Sequence, residues 1–199
     1  MRILAIDPSK TSCGWACFSE KDERPAYGTW VLGSEYTNIG KLGMNVHQNI
    51  VDLHRLGEIT HIFYEDAFIV ALKSQSNSFV WLEQISSIEA HIQSVAEALG
   101  VRQIRKVPLN TWRSHFVGSG EVSRTKRAVK LKAEAANKKM SASDALKQIV
   151  MERAKQLGFN PKNIDESDAL GILDYACDWH GITPPWRRDN VLLPALGAP

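Results

Sequence analysis

The sequence predicts an α/β domain in which a mixed β-sheet is flanked by α-helices. Three observations lead there. The first third of the chain holds three short apolar runs separated by turn residues. Beyond it, apolar runs alternate with stretches whose apolar residues recur at helical spacing. The 199 residues, 44% hydrophobic and 23% charged, suit one domain that builds its own core, and no internal repeat argues otherwise.

Arg2 to Ile6 reads as the first strand, Gly14 to Ser19 as the second and Tyr27 to Leu32 as the third. Leu42, Val46, Ile50, Leu53 and Leu56 then predict a helix from about Gly40 to Leu56. His61 to Phe68 is a short apolar strand, and Phe79, Leu82, Ile85, Ile88, Ile92, Val95 and Leu99 form the stripe of a second helix stopped by Gly100. Val101 to Val107 is a further strand, ended by Pro108. Gly118 to Ser143 has no clean period and reads as a mobile loop or as a helix that forms on a partner. Ser143 opens a helix that runs to Leu157, and a final helix starts near Asp165 or Ser167 and runs to about Trp179. The residues after it contain too many prolines for regular structure.

Charge is unevenly spread. Between Arg102 and Lys139, eleven basic residues face only Glu121 and Glu134, a local charge of +9 in a chain whose net charge is +2. Such a band beside acidic flanks is either a polyanion-binding surface or a solvated, Lys-rich face. Trp112 lies within it, to stack on a base or to pack beneath it. Cys13, Cys17 and Cys177 have no metal-type spacing. With no signal-like start they read as reduced thiols of a cytoplasmic protein, and no run approaches the ~20 apolar residues of a membrane span.

Two apolar strands end in acid, at Asp7 and Glu65, and the last helix opens with Asp165 and Asp168, three residues apart on one face. Singly, Asp7 before Pro8 suits a turn and Asp165 or Ser167 a helix cap. Glu65, after the apolar Ile62-Phe63-Tyr64 run that points to the core, has no such plain role. Together the acids repel, by ~4 kcal/mol for a pair ~4 Å apart at an effective dielectric near 20, so a cluster of them takes up protons or binds hard cations. Two Mg²⁺ ions ~3.5–4 Å apart would suit attack of water on a phosphodiester.

The ordered set "ILAIDPSKTSCGWA", "YEDAFI" and "DESDALGIL" resembles the RuvC-type Holliday-junction resolvases over Arg2 to about Trp179. The resemblance implies an RNase H-like fold, a homodimer, and Mg²⁺- or Mn²⁺-dependent nicking of symmetric strands at a four-way DNA junction. It implies that Asp7, Glu65, Asp165 and Asp168 are the catalytic metal ligands. Phe68 takes the place of an aromatic that disrupts pairing near the crossover, although it suits a core position equally. Arg113, Arg124 and Lys126, with Arg127, Lys130 and Lys132, fall where DNA contacts are expected. Residues 1–180 then form the nuclease domain, with a basic insertion at about 119–142 and a Pro-rich tail at 181–199. Ser9 departs from the family's usual Gly, and the longer basic arm would also hold flaps, forks or single strands. Compact variants of this kind occur in bacteriophages. A non-catalytic nucleic-acid-binding module is the alternative from another class; a phosphate-loop ATPase is disfavoured because a second acidic phosphate motif is absent.

Overall fold

The computed structural model describes residues 1–9, 11–66, 79–136 and 142–188. Its sheet has five strands, β1 (Arg2–Pro8), β2 (Ser12–Ser19), β3 (Ala26–Val31), β4 (His61–Glu65) and β5 (Gln103–Val107), in the order β3-β2-β1-β4-β5. β1, β2 and β3 pair antiparallel, whereas β4 and β5 run parallel to β1. This is the expected mixed sheet. The described residues also form seven helices, α1 (Ile39–Leu56), α2 (Phe79–Ala98), α3 (Leu109–Val117), α4 (Ser119–Ala136), α5 (Ala142–Gln156), α6 (Ile164–Trp179) and α7 (Pro185–Arg188).

Strand alternation divides the core in two. Leu4, Ile6, Ile62 and Tyr64 face one side, where Leu42, Val46 and Ile50 of α1 and Ile88, Ile92 and Val95 of α2 cover them. Ile3, Ala5, Ala16, Phe18 and Phe63 face the other side, beneath Trp112 and Phe116 of α3, Val150 and Ala154 of α5, and the length of α6. The same period sends Asp7 and Glu65 toward the α6 side, because each lies two residues beyond an inward residue of that face, Ala5 and Phe63.

Helix α6 is buried almost all round, between the sheet and its neighbouring helices. Gly14 sets how closely it docks, since a Cβ there would lie 1.9 Å from the carbonyl oxygen of Asp165. Gly171 does the same on the opposite side, where a Cβ would lie 2.6 Å from the Trp112 ring. No bulkier residue fits either position without moving the helix.

Four elements differ from the sequence expectation. Residues 119–136 form a helix in which Val122 and Thr125 are the buried ones among the described side chains; its many Ala, Lys, Arg and Glu residues are strong helix formers without a clean apolar period. The last helix starts at Ile164, capped by Asn163, whose side chain accepts from the amide of Glu166 at 2.9 Å. Neither Asp165 nor Ser167 is the cap. Helix α3 follows Pro108, where the sequence pattern predicts no element, with Trp112 and Phe116 buried one turn apart. Finally, the Pro-rich residues include a helical turn, α7, with Pro185 in its first position, where the missing amide costs nothing. Its Trp186 packs edge-on against Phe18 and Phe159, at centroid distances of 4.8 and 5.5 Å.

Candidate active site

The acids meet where β1, β4 and α6 converge. β1 and β4 pair in parallel up to Ile6↔Tyr64, and one residue further each strand presents its carboxylate. Asp7 stands opposite Gly14 in the β1–β2 register, and Gly14 touches the backbone of Asp165. One turn along α6, Asp168 is added from the same face. The structure thus brings together Asp7, Glu65, Asp165 and Asp168, and Asp7 feels the negative charge of the other three.

Three neighbours hold these carboxylates. The Trp112 Nε1–H donates to Glu65 Oε2 at 2.9 Å, Arg113 donates to Asp168 Oδ2 at 2.8 Å, and Ser12 Oγ donates to Asp165 Oδ2 at 2.7 Å. The Asp7 carboxylate has no hydrogen-bond or ion-pair partner among the described residues, and Asp168 Oδ1 is buried without one. Glu166, between the two helix acids, points away. It accepts from Thr29 Oγ1 and the Lys162 amide, tying the start of α6 to β3.

Burial and mutual repulsion dominate the electrostatics. Removal from water pushes the Asp7 carboxyl well above the ordinary carboxylate range, and the charges of Glu65, Asp168 and Asp165 push it further. Burial and then Asp168 raise Glu65 to about 7, against the opposing pull of Arg113, Trp112 and Lys147. Asp168 is also raised, with burial outweighing the Arg113 guanidinium and the more distant Lys147. The cluster is therefore short of positive charge. Among the described residues no three carboxylates stand close enough to cage an ion as they are. Its all-oxygen donors, free Asp7 and orphaned Asp168 oxygen nonetheless match what a hard divalent cation takes.

The basic residues separate into two groups. Arg113 lies inside the acid cluster, 5% exposed, and not on the open basic surface the band suggested. Arg124, Lys126 and Arg127 are exposed on α4, and none of them has a hydrogen bond or ion pair to the four acids among the described residues. Arg124 pairs with Glu121 at 3.2 Å. Lys130 and Lys132 belong to the same helix, but their side chains lie outside the described residues, as does Phe68. Trp112 is fully buried and packs under the band, its indole committed to Glu65.

Two contributors had no distinguishing signal in the sequence. Lys147 is one of several lysines in a mixed polar helix, and only the packing of α5 brings its charge to Glu65 and Asp168. Ser12 became visible only once the β1–β2 turn placed it against Asp165.

No protein-family model matches the chain, and no curated protein matches its sequence. Solved structures do match. RuvC of Thermus thermophilus in complex with a Holliday junction substrate superposes with a TM-score of 0.59 at 12% identity, covering 91% of this chain and 96% of that one. A second Thermus thermophilus RuvC structure gives 0.58 at 16% identity, covering 93% and 99%. The yeast mitochondrial Holliday junction resolvase gives 0.50 at 13% identity, covering 96% and 86%. The chain has the RuvC-type, RNase H-like fold over nearly its whole length. Among the described residues no helix is long and apolar enough to cross a membrane.

Proposed function

We propose that this chain is a divalent-metal-dependent, structure-selective DNA endonuclease that resolves four-way junctions by paired nicks as a homodimer. The observation that carries the reading is the gathering of Asp7, Glu65, Asp165 and Asp168, from two strand tips and one helix, on one face of a RuvC-type fold. A DNA binder without chemistry gains nothing from negative charge facing phosphates.

These four carboxylates would hold Mg²⁺ or Mn²⁺, two ions per site, which supply Lewis-acid stabilisation of the attacking and leaving oxygens when bound. The chain's own residues hold the ligands still: Trp112 orients Glu65, Ser12 orients Asp165, and the docking of α6 on Gly14 keeps both helix acids beside Asp7. Lys147 lends positive charge to a site that must admit a phosphodiester. Arg124, Lys126 and Arg127 on α4, with Lys130 and Lys132 further along it, neutralise phosphates, and Phe68 wedges at the crossover. Junction shape, not base edges, selects the substrate.

A panel of four-way, three-way, flap and linear DNAs, incubated with Mg²⁺ and with Mn²⁺, tests the reading. Symmetric nicks confined to the four-way junction support it. Equal cutting of flaps and forks favours a broader branched-DNA nuclease, for which the basic face of α4 is the structural argument. Binding without nicking of any member leaves only a nucleic-acid-binding module.

A further inference from the structure

Arg113 has its guanidinium buried within the acid cluster, and its contact there is incomplete. It meets Asp168 through one nitrogen and one oxygen, at 2.8 Å. Arg113 Nε and Asp168 Oδ1, the atoms that would close a two-point pair, are both buried without partners. A guanidinium and a carboxylate sealed from water ordinarily use both oxygens and two N–H groups. The same helix shows that this fold can build such a pair: Arg187 meets Asp174 through Nε to Oδ1 and through its terminal nitrogen to Oδ2. The open geometry at Asp168 is therefore local to the acid cluster.

The backbone beneath Arg113 is fixed. Its neighbour Trp112 is fully buried against Gly171 and bonded to Glu65, so α3 cannot withdraw without disturbing both. The side chain is held, among the described residues, by one hydrogen bond and by the Trp112 ring, whose centroid lies 5.0 Å from its Cζ.

We propose that Arg113 is an exchangeable counter-cation. It neutralises Asp168 while no divalent ion is bound and yields Asp168 to an entering ion, and the freed guanidinium then holds a DNA phosphate. The last step rests on the nuclease reading; the exchange itself does not. It also reconciles a buried ion pair with the DNA contact expected of Arg113, since one guanidinium serves the two anions in turn.

The test uses the full chain without DNA. Titration calorimetry of Mg²⁺ and Mn²⁺ compares wild type with Arg113→Gln and Arg113→Lys, and ¹⁵N-arginine NMR follows the Arg113 Nε–H resonance in wild type. Removing a competing positive charge should tighten Mg²⁺ binding about tenfold or more in Arg113→Gln. Arg113→Lys, which keeps the charge, should bind Mg²⁺ close to wild type. The Arg113 resonance should move as Mg²⁺ saturates. Equal or weaker binding by Arg113→Gln overturns the exchange, as does a resonance that ignores saturating Mg²⁺. If Arg113→Gln does not fold, the wild-type resonance decides alone. Junction cleavage with an unmoved Arg113 sinks the exchange and spares the nuclease. Displacement of Arg113 in a protein that cuts no DNA does the reverse.

Discussion

Helix α6 carries two buried aspartates, Asp168 at 3% exposure and Asp174 at 2%, and the fold treats them in opposite ways. Asp174 is saturated: Trp186 Nε1 donates at 2.8 Å, Arg187 binds both oxygens, and His115 Nε2 lies 2.9 Å away. Its hydrogen bonds and charged neighbours outweigh burial and hold its carboxyl down at about 2. Asp168 has one partner, an orphaned oxygen and three acidic neighbours, and its carboxyl is pushed up. Burial is nearly equal, so burial cannot explain the contrast; donor supply does. Asp174 is finished structure that pins α7 to the core. Asp168 belongs to a site that is short of donors among the described residues.

The largest effect expected from this comparison is at the saturated end. Asp174→Ala removes the acceptor that Arg187, His115 Nε2 and the Trp186 N–H share and should cost about 3–5 kcal/mol in urea unfolding. A loss under about 1 kcal/mol would erase the distinction drawn here.

Next comes pH. A carboxyl whose folded pKa is raised penalises folding as pH rises from its unfolded value to its folded one. Glu65, raised from 4.5 to about 7, should make the metal-free protein lose on the order of 3 kcal/mol between those pH values, with Asp7 and Asp168 adding in the same direction. Asp174 works oppositely: its stabilisation is present above about pH 4 and is lost as pH falls toward about 2. Melting curves in a chelating buffer from pH 4.5 to 8 read the first trend, and excess Mg²⁺ should flatten it. Stability that rises across that range in chelator would contradict the acid-cluster half of the comparison.

Smaller changes sharpen it. Trp112→Phe keeps a buried ring but removes the Glu65 donor. It should cost about 1–2 kcal/mol and push the Glu65 titration further up, as carboxylate NMR would register. Arg124→Ala, on the exposed face of α4, should change stability by less than about 0.5 kcal/mol. It should still weaken DNA binding and flatten the logarithmic salt dependence by about 0.9. An unchanged salt slope would remove Arg124 from the DNA face.

What the sequence made legible follows from where its signals reside. Strand alternation is local, so the apolar runs ending in Asp7 and Glu65 announced both the sheet and the placing of two acids on one face. The Asp165–Asp168 spacing is equally local. The mixed sheet and its helical cover were readable for the same reason, and the solved structures of like fold agree. The clamp supplied by α3 was not readable. The basic band left Trp112 open between stacking on a base and packing beneath, and gave Arg113 to DNA; the packing of Trp112 on Gly171 settles the first and turns Arg113 inward with it. The α4 helix hid because its Lys-, Ala- and Ser-rich sequence has no clean apolar period, and Trp186 hid because prolines mask a single helical turn. For Trp112 and Trp186 the decisive partners, Gly171 and Phe18, lie far away in sequence.

The central claim is that the four acids form a cation-dependent catalytic centre. Asp7→Asn tests it most directly, because the Asp7 carboxylate has no hydrogen-bond or ion-pair partner among the described residues and sits on a central strand. Cleavage of a four-way junction with Mg²⁺ should fall by about a thousandfold or more, roughly 4 kcal/mol of transition-state stabilisation, while junction binding in Ca²⁺ or chelator persists. Cleavage at the wild-type rate by Asp7→Asn would contradict the account.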